Sequence, residues 1–176
     1  GTKFVVYANH IEYTDPIYVR LLFRKHALAF VAKEPLFKTF LIKNLLNGIG
    51  CISIGKDADR SAMKSILESI KRVKDGQPFG IFPEGKRTYS NDLTEFKAGA
   101  FKLAQKANAD IVPVCLYNMH GILRKGRIRT QKVYVHIFEA IPHEDFASLD
   151  TFVIADRVKS LISSKLEEFK ERIPQD

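Results

Sequence analysis

The residue types most able to do chemistry lie in the segment Ala8-Asn9-His10-Ile11-Glu12-Tyr13-Thr14-Asp15-Pro16. His10 follows the strand-like run Phe4-Val5-Val6-Tyr7 directly, and Asp15 comes five positions later. A loop of that length can fold back and bring the carboxylate to one imidazole nitrogen. The carboxylate then fixes the tautomer and stabilises the imidazolium, and the other ring nitrogen is left to accept a proton. Such a dyad has no protein nucleophile and suits direct attack by a substrate hydroxyl. Capping explains the same residues: Asp15-Pro16 reads as a helix start, with Asp at the N-cap and Pro at the first helical position. The two roles can coexist, one carboxylate oxygen capping while the other meets His10.

A second polar loop is Phe82-Pro83-Glu84-Gly85-Lys86-Arg87-Thr88. Gly85 frees the backbone, Lys86 and Arg87 follow at once, and Thr88 and Ser90 add hydroxyls. A turn rich in N–H groups beside cations is physically a phosphate site. The spacing is not that of a Walker loop. Glu84 is placed to hold Arg87 or to bind a substrate hydroxyl. On local grounds alone, a solvated surface turn is the better account of the segment.

The elements needed to position these loops alternate along the chain. Strand-like runs are read at residues 4–8, 26–31, 50–54, 79–82, 111–117 and 132–139. Helical periodicity is read at about 15–24, 36–46, 59–75, 96–107 and 154–169. This alternation predicts an α/β fold, a mainly parallel central sheet with helices on both faces. Ligands bind such sheets in loops beyond the carboxyl ends of strands. Residues 8–15, 55–60 and 83–91 are the polar loops that meet this description.

The 176 residues fit one domain, and 45% apolar with 27% charged residues is a globular composition. The net charge of +8 calls for an anionic partner. A nucleic-acid binder should interleave aromatics with Lys and Arg, but the 13 Phe and 6 Tyr fall mostly in core-like runs, so no nucleic-acid partner is expected. Cys51 and Cys115 form no CxxC pair, so neither a disulfide framework nor a zinc site is expected. His26, His120, His136 and His143 are scattered, and no metal is expected. Cys51 paired with a histidine is the chemical rival to the dyad, although its apolar surroundings favour a core role. Apolar runs stay under about ten residues, short of the ~20 a spanning helix needs.

The two loops, in this order, resemble the glycerolipid acyltransferase family that includes 1-acylglycerol-3-phosphate acyltransferases. Asn9-His10-…-Asp15 matches the family's NHx4D motif, and residues 82–88 are similar to its FPEGTRS motif. Gly50-Cys51-Ile52-Ser53-Ile54-Gly55-Lys56 is similar to the Gly-started strand between them. Ile111-Val112-Pro113-Val114 corresponds to the final proline-bearing strand, and Phe96–Ala104 to the helix after the third motif. The resemblance covers residues 4 to about 117 and departs at three points: Glu12 stands for Ser, Lys56 for Arg and Lys86 for Thr.

The resemblance implies that His10 is the general base and that Asp15 orients it. It implies phosphate binding by Gly85, Lys86, Arg87 and Lys56 with Glu84, and support from Asn9, Lys33, Arg60 and Thr88. The implied donor is acyl-CoA or acyl carrier protein, with no cofactor. The implied acceptor is a lysophospholipid, 1-acylglycerol 3-phosphate first and glycerol 3-phosphate or another lysophospholipid as rivals. A basic module binding anionic lipid or nucleic acid without catalysis is the reading from another class. Substrates of this kind place the protein peripherally at an anionic membrane surface, on the cytoplasmic face. The 36–46 helix and the Arg124-Lys125-Gly126-Arg127-Ile128-Arg129 run are candidate contact surfaces. Residues 1–176 are expected to be a single acyltransferase catalytic domain, and the resemblance adds that family members commonly carry a hydrophobic N-terminal segment ahead of the first motif.

Overall fold

In the computed structural model, residues 3–38, 40–54, 58–121 and 131–173 are described. The element order is β1 (Phe4–Ala8), α1 (Asp15–Leu22), β2 (Ala29–Lys33), α2 (Phe40–Gly48), β3 (Ile52–Ile54), α3 (Ala58–Lys74), β4 (Phe79–Ile81), α4 (Lys102–Ala107), β5 (Asp110–Tyr117), β6 (Tyr134–Ile137) and α5 (Thr151–Arg172). The sheet runs β3-β2-β4-β1-β5-β6. All neighbours pair in parallel except β5 and β6.

Period-two alternation along the strands feeds two cores, one on each side of the sheet. Val5 and Tyr7 of β1 join Phe79, Phe101, Leu103, Val158 and Ile162 on one face. Val6 and Ala8 join Ile11, Val19, Leu28 and Phe30 on the other. Helices therefore cover both faces, as the alternation of elements predicts.

Several elements differ from the sequence expectation. The second strand occupies 29–33 rather than 26–31, because residues 23–28 form turns: His26 N–H donates to Phe23 O at 2.8 Å and Leu28 N–H to His26 O at 2.8 Å. The 36–46 helix divides into a 3₁₀ turn, Glu34–Lys38, and α2. The 96–107 helix is shorter. Lys97 is extended, with its N–H donating to Pro83 O at 2.9 Å, and a 3₁₀ turn at Ala98–Phe101 leads into α4. That tie to the 83–91 loop displaces the first helical turn.

Pro113 sits inside the sheet although it has no N–H to donate. Its carbonyl accepts from Phe138 N–H at 3.0 Å, on the β6 side. The β5–β6 ladder starts one residue later, at Val114↔Ile137, so the missing donor falls at its end.

Candidate active site

β1 and β4 are parallel neighbours, so their carboxyl ends release the 9–14 and 82–91 loops side by side. Asn9 is the first residue past β1, and it is buried. Its side-chain amide donates to Leu116 O at 2.9 Å, and its Oδ1 accepts from Leu116 N–H at 2.7 Å. The side chain thus continues the β1–β5 ladder for one more rung after the main chain turns away. Asn9 supports the site by fixing where the loop departs.

His10 Nδ1 lies 2.8 Å from Asp15 Oδ2. Asp15 is fully buried, and His10 is partly exposed. The same carboxylate oxygen accepts the backbone N–H of Ile11 at 2.5 Å and of Glu12 at 2.8 Å. Three donors on one oxygen compensate for burying the charge. Asp15 is not the N-cap. Thr14 occupies that position without a side-chain cap bond, and Asp15 is the first helical residue. Among the described residues Oδ2 is taken by the loop amides and His10, and Oδ1 is buried without a hydrogen-bond partner, so neither oxygen caps α1. The carboxylate's place in the first turn still puts it at the positive end of the α1 dipole. Among the described residues His10 Nε2 has no hydrogen-bond partner, so it is available to a substrate proton.

The ring is also held from its face. Phe82 stacks on His10 with centroids 4.2 Å apart, and Phe30 stacks behind Phe82 at 5.9 Å. Gly80 lies under Phe30: a Cβ there would come within 2.3 Å of the ring. The small residue in β4 thus makes room for the aromatic stack that seats the imidazole.

Glu84 is buried, and both its oxygens are occupied. Oε1 accepts the His10 backbone N–H at 2.8 Å, and Oε2 accepts from Thr94 N–H at 2.9 Å and from Thr94 Oγ1 at 2.7 Å. The carboxylate is therefore turned toward the His10 main chain, away from the cations beside it in sequence. Thr88 works in the same way, its N–H donating to His10 O at 2.9 Å. Tyr89 N–H donates to Ile11 O at 3.1 Å. The two loops are stitched together by main-chain bonds that the motifs do not spell out.

Gly85 has φ +69°, the left-handed region that closes the turn, and its N–H donates to Phe82 O at 3.1 Å. Lys86 is exposed, and Arg87 is half-buried with its guanidinium carbon 3.3 Å from the Tyr13 ring centroid. Lys97 is a cation the sequence reading missed; its Nζ would lie 3.0 Å from a Cβ at Gly85. Arg60 is exposed in the first turn of α3, and Lys33 ends β2 in register with Ile54. Lys56 and the 124–129 run lie outside the described residues. Glu12 is buried, with Oε1 accepting the Tyr13 N–H at 2.9 Å.

Cys51 and Cys115 are both buried and unpaired. Burial raises the Cys51 thiol and pushes that of Cys115 up to about 12. A thiol held protonated is a poor nucleophile. Among the described residues no cluster of three metal-ligating side chains occurs.

A His–Asp dyad with a ring nitrogen left open among the described residues, beside a cation-bearing turn at the carboxyl ends of parallel strands, is able to deprotonate a hydroxyl next to a bound anion. Residues 1–117 match the acyltransferase family. A 1-acyl-sn-glycerol-3-phosphate acyltransferase from Borreliella burgdorferi is 31% identical over 170 residues, covering 94% of this chain and 67% of that protein. A probable 1-acyl-sn-glycerol-3-phosphate acyltransferase from Mycoplasma genitalium is 28% identical, covering 90% of this chain and 64% of that one. The crystal structure of the 1-acyl-sn-glycerophosphate acyltransferase PlsC from Thermotoga maritima superposes with a TM-score of 0.80 at 26% identity, covering 99% of this chain and 69% of that one. The chain belongs to the acyltransferase family and spans about two thirds of the length of these relatives.

Proposed function

We propose that the protein transfers a fatty acyl group from acyl-CoA or acyl carrier protein to the free hydroxyl of 1-acylglycerol 3-phosphate, forming phosphatidic acid. The observation that carries this reading is the 2.8 Å His10–Asp15 contact with Nε2 left open. Nε2 takes the proton of the acceptor hydroxyl, and Asp15 stabilises the imidazolium that results. The hydroxyl oxygen attacks the thioester carbonyl and forms a C–O bond. The tetrahedral intermediate collapses with loss of the C–S bond, and the departing thiolate takes the proton back from His10. General base catalysis of this kind is worth about 10²–10⁴-fold. No cofactor beyond the acyl donor is called for.

Arg87 with Lys86 and the Gly85 turn binds the acceptor phosphate, and Lys56, Arg60 and Lys33 are further cations for that role. The relatives' names carry the choice of acceptor. Among the described residues no helix is long and apolar enough to cross a membrane. The +8 charge supports a peripheral position on an anionic membrane surface, at the cytoplasmic face. The test is product formation from acyl-CoA with lysophosphatidate, glycerol 3-phosphate or a neutral lysolipid. Phosphatidate formation at least tenfold faster than transfer to the other two supports the reading. Preference for glycerol 3-phosphate reassigns the acceptor, and no transfer to any of them refutes catalysis.

A further inference from the structure

Arg87 makes no ion pair with a carboxylate among the described residues, yet its guanidinium is held in place. Its central carbon lies 3.3 Å from the Tyr13 ring centroid and 5.4 Å from that of Tyr89. The two rings are 6.4 Å apart and inclined at 58°, so the guanidinium has an aromatic wall on two sides. Tyr13 comes from the His10–Asp15 loop, and Tyr89 from the loop after β4. Tyr89 has φ +55°, a left-handed conformation costly for an aromatic residue, and its N–H is bonded to Ile11 O. Both rings are about half exposed, Tyr13 at 53% and Tyr89 at 48%, so neither is a core residue.

From this arrangement we infer that Tyr13 and Tyr89 are positioning residues that orient Arg87 for the acceptor's phosphate. A guanidinium stacked by its face on an aromatic ring keeps its N–H edge free, and that edge can meet an anion with two parallel hydrogen bonds. A carboxylate partner would have occupied the same edge. The rings therefore fix the cation without neutralising it. Because one ring belongs to the His10 loop, the phosphate site is held at a set distance from the base. The identity of the anion as the acceptor phosphate rests on the proposed function above.

The test compares Tyr13→Leu, Tyr13→Phe and Tyr89→Leu with wild type. Two quantities are measured: the Kd for a short-chain lysophosphatidate, and the KM and kcat for its acylation. Half-exposed positions let all three variants fold, which thermal unfolding verifies. Tyr13→Leu should raise Kd and KM about tenfold and leave kcat within about twofold, with a smaller rise for Tyr89→Leu at its greater distance. Tyr13→Phe, which keeps the ring face, should match wild type. An unchanged Kd in Tyr13→Leu overturns the inference, as does a Phe variant as impaired as the Leu variant. Wild-type protein that binds lysophosphatidate without acylating it defeats the proposed function, while the Kd series still decides the role of the rings. Wild-type protein that binds no lysophosphatidate overturns the inference as well.

Discussion

The Glu84 carboxylate accepts the backbone N–H of His10 at 2.8 Å, although the two residues are 74 positions apart. Its other oxygen takes two donors from Thr94. The acidic residue of the second loop thus holds His10 through the main chain. Glu84→Ala would leave the partly buried His10 and Thr94 N–H groups unpaired, each at about 1–2 kcal/mol. The variant should lose about 2–4 kcal/mol of stability by denaturant unfolding, and kcat should fall with the misplaced imidazole.

Asp15 Oδ2 serves His10 and two loop amides at once. Asp15→Asn keeps an oxygen for the amides but loses the charge that stabilises the imidazolium. The variant should fold, and its kcat should fall about 10²–10⁴-fold, the scale of the base's own contribution. A kcat within threefold of wild type would show that the dyad is not needed.

Asn9 makes two buried hydrogen bonds to the Leu116 main chain. Asn9→Ala should destabilise the protein by about 2–4 kcal/mol, since both Leu116 groups lose a partner. Urea unfolding monitored by tyrosine fluorescence would read the shift in midpoint. At temperatures where the variant is folded, activity should fall further than the unfolded fraction explains, because the residue sets the start of the His10 loop.

The His10–Asp15 pair was legible in the sequence because it is local: five positions separate the two residues, at the end of a readable strand. The faces of the sheet were legible for the same reason, since alternation along Val5, Val6, Tyr7 and Ala8 assigns each side chain to a side. What the sequence does not show are contacts between distant segments. Glu84 with His10, Asn9 with Leu116 and Arg87 with Tyr13 all depend on strand order, and local periodicity does not specify that order. Asp15 was misplaced as a helix cap because its carboxylate has stronger claims in the loop. An aromatic residue in each polar loop, Tyr13 and Tyr89, was the one available sign of the stacked arginine.

Burial keeps the thiols of Cys51 and Cys115 protonated. Cys51→Ala should retain kcat within about threefold, and a thiol reagent at pH 8 should modify neither cysteine in the folded protein. Cys115 adds a pH dependence. Its folded pKa of about 12 exceeds the ordinary 9.0, so the folded state keeps a proton that the unfolded chain releases. This contribution is fully present below pH 9 and is lost as pH rises toward 12. Stability should fall by up to about 1.4 kcal/mol per pH unit from this group alone. Cys115→Ala should show a correspondingly shallower decline between pH 9 and 11.

Thiol release tests the proposed role of His10 as the base for acyl transfer most directly. Purified wild type and His10→Ala are given acyl-CoA and lysophosphatidate, and free thiol is followed over time. Lysophosphatidate-dependent release by wild type, reduced at least a hundredfold in a folded His10→Ala variant, is the predicted result. Equal release by the two proteins would contradict it.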